Sequence, residues 1–278
     1  RYVLVEGIED AQATDDLLTM TVFNSDVRKR SSFTSSSEVL NRLYAMGINA
    51  DLSNFHYFPT DCPHREKNGW TGDVTASAEQ MLLSFDAKNS FKLWLKSMRH
   101  AQKENGMLPG IVPTTGWGYA WGNGPFWDAA AIYLPYYIYK YDEDIDALKE
   151  NADMIYRYLE YISGKRDESG LIAIGLGDWV QPRAMEIGIL APLSLTDSAT
   201  IYNAAKKAGF IFEVLGMKDK SDYAERLSNE LKSAIRKNLI DYSTMTAAGA
   251  CQTSQALLLY RREKADRYSC TQDERKHS

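Results

Sequence analysis

Thr60-Asp61-Cys62-Pro63-His64-Arg65-Glu66-Lys67-Asn68-Gly69-Trp70-Thr71-Gly72-Asp73 brings three carboxylates, an arginine, a histidine and a tryptophan into fourteen residues, punctuated by one proline and two glycines. Such a stretch makes poor core. Its acids are costly to bury without partners, and its glycines interrupt a helix. It suits a polar site that needs a proton donor, fixed hydrogen-bond acceptors and an aromatic wall, which are the requirements of sugar chemistry.

Around this run the chain reads as mainly α. Ser35-Ser36-Ser37-Glu38 precedes Val39, Leu40, Leu43, Tyr44 and Met46, a helix start with capping residues and an apolar face. Helical periodicity then predicts helices near 37–53, 71–85, 87–103, 126–141, 144–163, 195–216, 219–239 and 249–260. The connections 104–125 and 164–194 are long and rich in Gly, Pro and Trp, as functional loops are. Paired helices with alternating long and short connections fit a toroid; an irregular helical bundle fits the periodicity equally. Arg1 to Val5 and Leu17 to Phe23 read as short strands, so residues 1–30 are expected to be the end of a preceding β-sandwich domain. Residues 261–278 are mostly charged and polar and read as a solvated or disordered tail.

Bulk properties exclude several classes. The chain has 278 residues, 44% hydrophobic and 25% charged, with 17 tyrosines and 6 tryptophans. A net charge of -5, with no basic stripe, argues against a nucleic-acid surface. No apolar run approaches a membrane span, and no signal-peptide pattern stands in the sequence, so the compartment is left open. Cys62, Cys251 and Cys270 are neither a disulfide framework nor a zinc set, and His56, His64, His100 and His277 lack metal spacing. Nor is there a calcium-loop pattern, so no metal or cofactor is expected. The composition leaves the oligomeric state open.

The Asp61–Asp73 run resembles that of bacterial α-L-rhamnosidases, inverting glycoside hydrolases with an (α/α)6-barrel catalytic domain. Its Asp-Cys-Pro-x-Arg-Glu-x-x-Gly-Trp-x-Gly-Asp arrangement is specific. Further similarity lies in Met107-Leu108-Pro109 with Val112-Pro113, in Trp127-Asp128-Ala129-Ala130, in Gly177-Asp178-Trp179 and in Thr253-Ser254-Gln255-Ala256-Leu257. The resemblance covers roughly residues 1–260 and implies a partial (α/α)6 barrel over 31–260. It also implies a downstream general base in a Thr-x-Trp-Glu context. Glu263 and Glu274 lack that context, so the barrel is expected to be incomplete at its C-terminal end.

By the same resemblance, Glu66 is the general acid, raised toward neutral pH by burial or by the charges of Asp61 and Asp73. Read without it, Glu66 is a surface residue paired with Lys67. Asp61 and Asp73 match residues that bind rhamnose hydroxyls; helix capping is the other role open to Asp73. Arg65 offers a fork of donors, to a hydroxyl or a neighbouring carboxylate. Trp70, Trp127 and Trp179 are expected to line the rhamnose pocket, with Asp128 and Asp178 beside them. The expected partner is a rhamnoside substrate. A non-catalytic rhamnose-binding relative and an (α/α)6 glycosidase of other specificity are the alternatives. The Trp117-to-Gly122 loop is a candidate platform for the aglycone.

Overall fold

The computed structural model describes residues 3–114 and 116–267. Its helices are α1 (Glu38–Asn54), α2 (Thr71–Ser84), α3 (Lys88–Ala101), α4 (Pro125–Asp128), α5 (Ala130–Asp142), α6 (Ile145–Lys149), α7 (Ala152–Ser163), α8 (Ala184–Ile187), α9 (Leu193–Val214), α10 (Lys218–Asn238) and α11 (Gln252–Arg267). Two small antiparallel hairpins interrupt them. One joins β1 (Phe55–His56) to β2 (Phe58–Pro59), and the other joins β3 (Ile240–Asp241) to β4 (Thr246–Ala247).

The burial pattern sorts the long helices into two layers. α3 buries Phe91, Trp94, Leu95 and Met98, and α10 buries Ala224, Leu227, Leu231, Ala234 and Ile235. These are single stripes at helical spacing, the mark of a helix with one solvated face. By contrast, α5 buries every residue from Ala130 to Pro135, and α9 every residue from Leu195 to Ile201. A helix covered on all sides belongs inside. Accordingly α2 packs on α5, α5 on α9 and α9 on α11, forming an inner arc. α3 and α7 lie against α5, and α10 doubles back along α9. This two-layered run of helix hairpins is the architecture of an (α/α)6 toroid. The central core includes Leu82, Phe91, Leu134, Ile138, Tyr158, Ile201 and Phe212. Each such side chain contributes about 1.5–3 kcal/mol through burial.

Several expectations need correction. Val3 to Val5 and Leu17 to Phe23 form no strand. Val3, Leu4, Met20 and Val22 are exposed, and among the described residues no sheet lies beneath them to supply partners or a buried face. Among the described residues before α1, ladder contact is limited to the Lys29–Phe85 bridge, flanked by Arg30 N–H donating to Ser84 O. The serines before α1 do not cap it through their side chains. Instead Asn41 reaches back, accepting from Ser35 N–H at 2.8 Å and donating to Ser35 O at 3.0 Å. The apolar face of α1 is largely open, with Val39, Leu43 and Met46 exposed and Ile48 buried. The backbone of residues 261–267, read as polar tail, continues α11, as its Arg, Glu, Lys and Ala favour. Residues 268–278 lie outside the described residues.

Candidate active site

The Asp61–Asp73 run folds as a closed loop laid across a second segment. Asp61 Oδ1 accepts from Asn68 N–H at 2.9 Å, and Asp61 N–H donates to Asn68 O at 3.1 Å, which ties the loop at its neck. Inside it, Glu66 N–H donates to Cys62 Sγ at 3.2 Å, so Cys62 shapes the turn. Beyond the neck, Val112 N–H donates to Gly69 O and Thr71 N–H to Gly110 O, each at 2.9 Å, around a Trp70–Ile111 bridge. Both glycines are required by close approach. A Cβ on Gly69 would lie 2.1 Å from Val112 O, and one on Gly72 would lie 2.6 Å from the Trp127 indole nitrogen. The spacing Gly-Trp-x-Gly thus lets the loop, the 107–112 segment and α4 meet at the start of α2.

Trp70 and Trp127 are buried, each 7% exposed, and cluster with Ile111, Phe126 and Leu176. Glu66 is exposed at the rim, and its Oε2 accepts from Trp70 Nε1–H at 2.6 Å. Arg65 and His64 are exposed beside it. Asp73 stands in the first turn of α2 and interacts with its own backbone N–H. Although its side chain reaches solvent, it is partly buried, and that burial is the largest cause of a raised carboxyl. With repulsion from Asp61 and Glu66 added, its carboxyl is raised to about 6. The structure therefore brings Asp61, Glu66, Trp70 and Asp73 together, with the Asp73 carboxyl moved toward neutral pH.

Asp128 does not share this open mouth. It is 2% exposed behind Trp127, and neither oxygen makes a hydrogen bond of good geometry. Burial, above all, raises its carboxyl to about 8; Gly124 N–H and the Tyr158 hydroxyl pull it down, and the Asp197 charge raises it further. It is an interior group whose burial favours the protonated form. Asp178, half-buried, accepts from the Thr253 hydroxyl at 2.6 Å, and Trp179 beside it is exposed. The loops preceding α2, α4, α9 and α11 thus converge at one end of the inner arc.

A family model of the bacterial alpha-L-rhamnosidase 6 hairpin glycosidase domain matches residues 28–266. The chain belongs to this family. An alpha-L-rhamnosidase of Formosa agariphila is 28% identical over 271 residues, which cover 93% of this chain and 28% of that protein. One from Alteromonas sp. is 28% identical over 267 residues, covering 93% and 29%. The solved alpha-L-rhamnosidase of Dictyoglumus thermophilum is 29% identical, with a TM-score of 0.76, over 86% of this chain and 27% of that one. That of Aspergillus terreus, 24% identical, shares the fold with a TM-score of 0.78, over 85% and 28%. The chain thus spans under a third of each of these proteins.

Within this rhamnosidase-family domain, two groups at the site were not picked out from the sequence. Asp197, buried inside α9, accepts from the N–H groups of Ile174 and Gly175 at 2.8 Å each and so anchors the strand-like approach to Asp178. Burial raises it to about 6, against the pull of those amides. The signal available was the polar trio Thr196-Asp197-Ser198 inside an otherwise apolar helix. Thr253, the other, is marked in the sequence only by its place in the Thr253-Ser254-Gln255-Ala256-Leu257 stretch.

Proposed function

We propose that this domain, residues 31–260, hydrolyses terminal α-L-rhamnose from glycosides or polysaccharides with inversion, and that Glu66 is the general acid. The observation that carries the reading is the acidic mouth itself. Asp61, Glu66 and Asp73 interact across one loop with an indole N–H fixed on Glu66, in a chain whose family and relatives are rhamnosidases. The alpha-L-rhamnosidase of Streptomyces avermitilis, whose structure holds L-rhamnose, shares the fold.

Glu66 is at the rim, where a leaving oxygen can be protonated as the glycosidic bond breaks. Asp61 and Asp73 accept hydrogen bonds from adjacent ring hydroxyls. The buried faces of Trp70 and Trp127 give the apolar wall that a C6 methyl prefers over a hydroxyl. Inversion further requires a carboxylate about 6.5–9.5 Å from the acid, across the sugar, to activate water. No residue of this chain is assigned that role.

The test is hydrolysis of an aryl α-L-rhamnoside by this chain, with Glu66→Gln as control and calorimetric titration with L-rhamnose alongside. Turnover that gives β-L-rhamnose first, and is lost in Glu66→Gln, supports both the reaction and the donor and means that the base lies within these residues. Rhamnose binding without turnover supports the reading as a binding relative. Equal activity of Glu66→Gln and wild type on unactivated glycosides overturns the assignment of the acid. Turnover of other aryl glycosides in preference to the rhamnoside overturns the sugar specificity.

A further inference from the structure

The tryptophans of the site continue outward as a ridge. The Trp70 ring meets Trp117 at 6.3 Å and Trp121 at 5.8 Å between centroids; Trp117 and Trp121 lie 5.0 Å apart, and Trp121 meets Trp179 edge-on at 6.1 Å. Trp70 is buried, but Trp117, Trp121 and Trp179 are 48%, 41% and 51% exposed. Three half-open indoles, contiguous with an acidic cleft, form the kind of apolar surface that marks a ligand contact.

The ridge has a defined direction. Its inner end is Trp70, whose N–H is bonded to Glu66. A general acid delivers its proton to the oxygen that departs, so the group on that oxygen lies on the acid's side of the broken bond. The ridge starts at the acid and is therefore placed for the leaving group.

Its chemistry narrows what that group is. Among the described residues, several polar side chains along the ridge are engaged within the protein. The Tyr119 hydroxyl donates to Ala101 O, the Thr114 hydroxyl to Gly118 O at 3.2 Å, and Asp178 accepts from Thr253. A second sugar needs both donors and acceptors for its hydroxyls, and the indoles of the ridge offer ring faces, edges and N–H groups that donate but cannot accept. Trp117 and Trp121, tilted by 33° at 5.0 Å, leave no slot between them, so a ligand lies along the ridge. Asp61, Glu66, Asp73 and Asp178 disfavour an anionic group.

We propose that Trp117, Trp121 and Trp179 form the leaving-group subsite of this domain, and that it takes a flat, uncharged aryl aglycone in preference to a second sugar or a uronate. The proposal rests on the rhamnosidase reading of the same site.

The experiment is calorimetric titration of the chain at pH 6 with four ligands: 4-methylumbelliferyl α-L-rhamnoside, methyl α-L-rhamnoside, a rhamnosyl-glucose disaccharide and free 4-methylumbelliferone. Wild type is compared with Trp117→Ala/Trp121→Ala and with Trp121→Phe, using Glu66→Gln as background should turnover interfere. The umbelliferyl glycoside is expected to bind about tenfold tighter than the methyl glycoside. The double alanine variant should erase that gain and leave methyl rhamnoside within about twofold, whereas Trp121→Phe should largely keep it. Equal loss for both rhamnosides, or an equal gain for the disaccharide, overturns the proposal. If methyl rhamnoside binds and the aryl group adds nothing, the subsite fails while the rhamnose reading stands. If only the free umbelliferone binds, and loses binding in the double variant, the aryl site stands and the rhamnose reading fails. Binding of none overturns both.

Discussion

The Trp70 indole N–H donates to Glu66 Oε2 across 2.6 Å, which holds the carboxylate proposed as general acid against the ring proposed to wall the pocket. The pair is four residues apart, yet it is not a helical contact; it depends on the loop neck at Asp61 and Asn68. Trp70→Phe removes the donor and keeps an apolar ring. Protonation of the leaving group matters most for poor leaving groups. The expected outcome is a fall in kcat of about tenfold on alkyl or sugar rhamnosides and a smaller fall on 4-nitrophenyl rhamnoside. Steady-state kinetics on both substrates check this, and equal losses would show that the bond does not serve proton delivery.

Asp73 gives a pH signature. Its carboxyl, raised to about 6 by partial burial and by Asp61 and Glu66, becomes a full acceptor only above that pH. Rhamnose affinity should therefore rise as pH goes from 5 to 7 and level off, and Asp73→Asn should flatten the rise. Stability runs the other way. A carboxyl whose folded pKa is raised loses stability as pH climbs from about 4 through 6, because the unfolded chain ionises first. Asp73→Asn should thus gain in Tm at pH 7 relative to pH 4. Calorimetric titrations and melts across this range test both signs; a variant with unchanged dependence in both would remove Asp73 from the site.

Gly72 carries the packing that holds the wall. Its missing Cβ leaves room for the Trp127 indole, 2.6 Å from where that carbon would stand. Gly72→Ala improves helix propensity in α2 but forces the indole away. A net loss of about 1–3 kcal/mol is expected, with rhamnose binding reduced. Urea unfolding and calorimetry measure the two effects, and a stabilised variant with wild-type binding would show that Trp127 moves freely.

Much of this was legible from spacing, for physical reasons. The stripes of α3 and α10 were readable because a helix with one dry face repeats its apolar residues every three or four positions. The break between α6 and α7 was not, since it turns on Asn151, a buried side chain that accepts from Arg99 at 2.7 Å and donates to Ala147 O. At the site, Asp61, Glu66, Trp70 and Asp73 lie within one loop, so local spacing brings them together. The pairing of Asp178 with Thr253 spans 75 residues and exists only because α11 packs beside α9. The buried position of Asp128 was not legible for a different reason. Its neighbour Trp127 belongs to the wall, but on a helical turn adjacent residues face different directions, and Asp128 points into the core.

That buried carboxyl makes the last prediction. Asp128, raised to about 8, keeps its proton in the folded protein while an unfolded chain ionises near pH 4. Between those values each pH unit costs the fold about 1.4 kcal/mol, with the loss complete above the folded pKa. Asp128→Asn cannot ionise, and its amide can still face Gly124 and Tyr158. Its stability relative to wild type should therefore grow steadily from pH 4 to pH 8, while Asp128→Ala loses packing at every pH. Denaturant midpoints at four pH values separate these. A pH-independent difference between Asn and wild type would mean that Asp128 is ionised in the fold, with a partner other than those described.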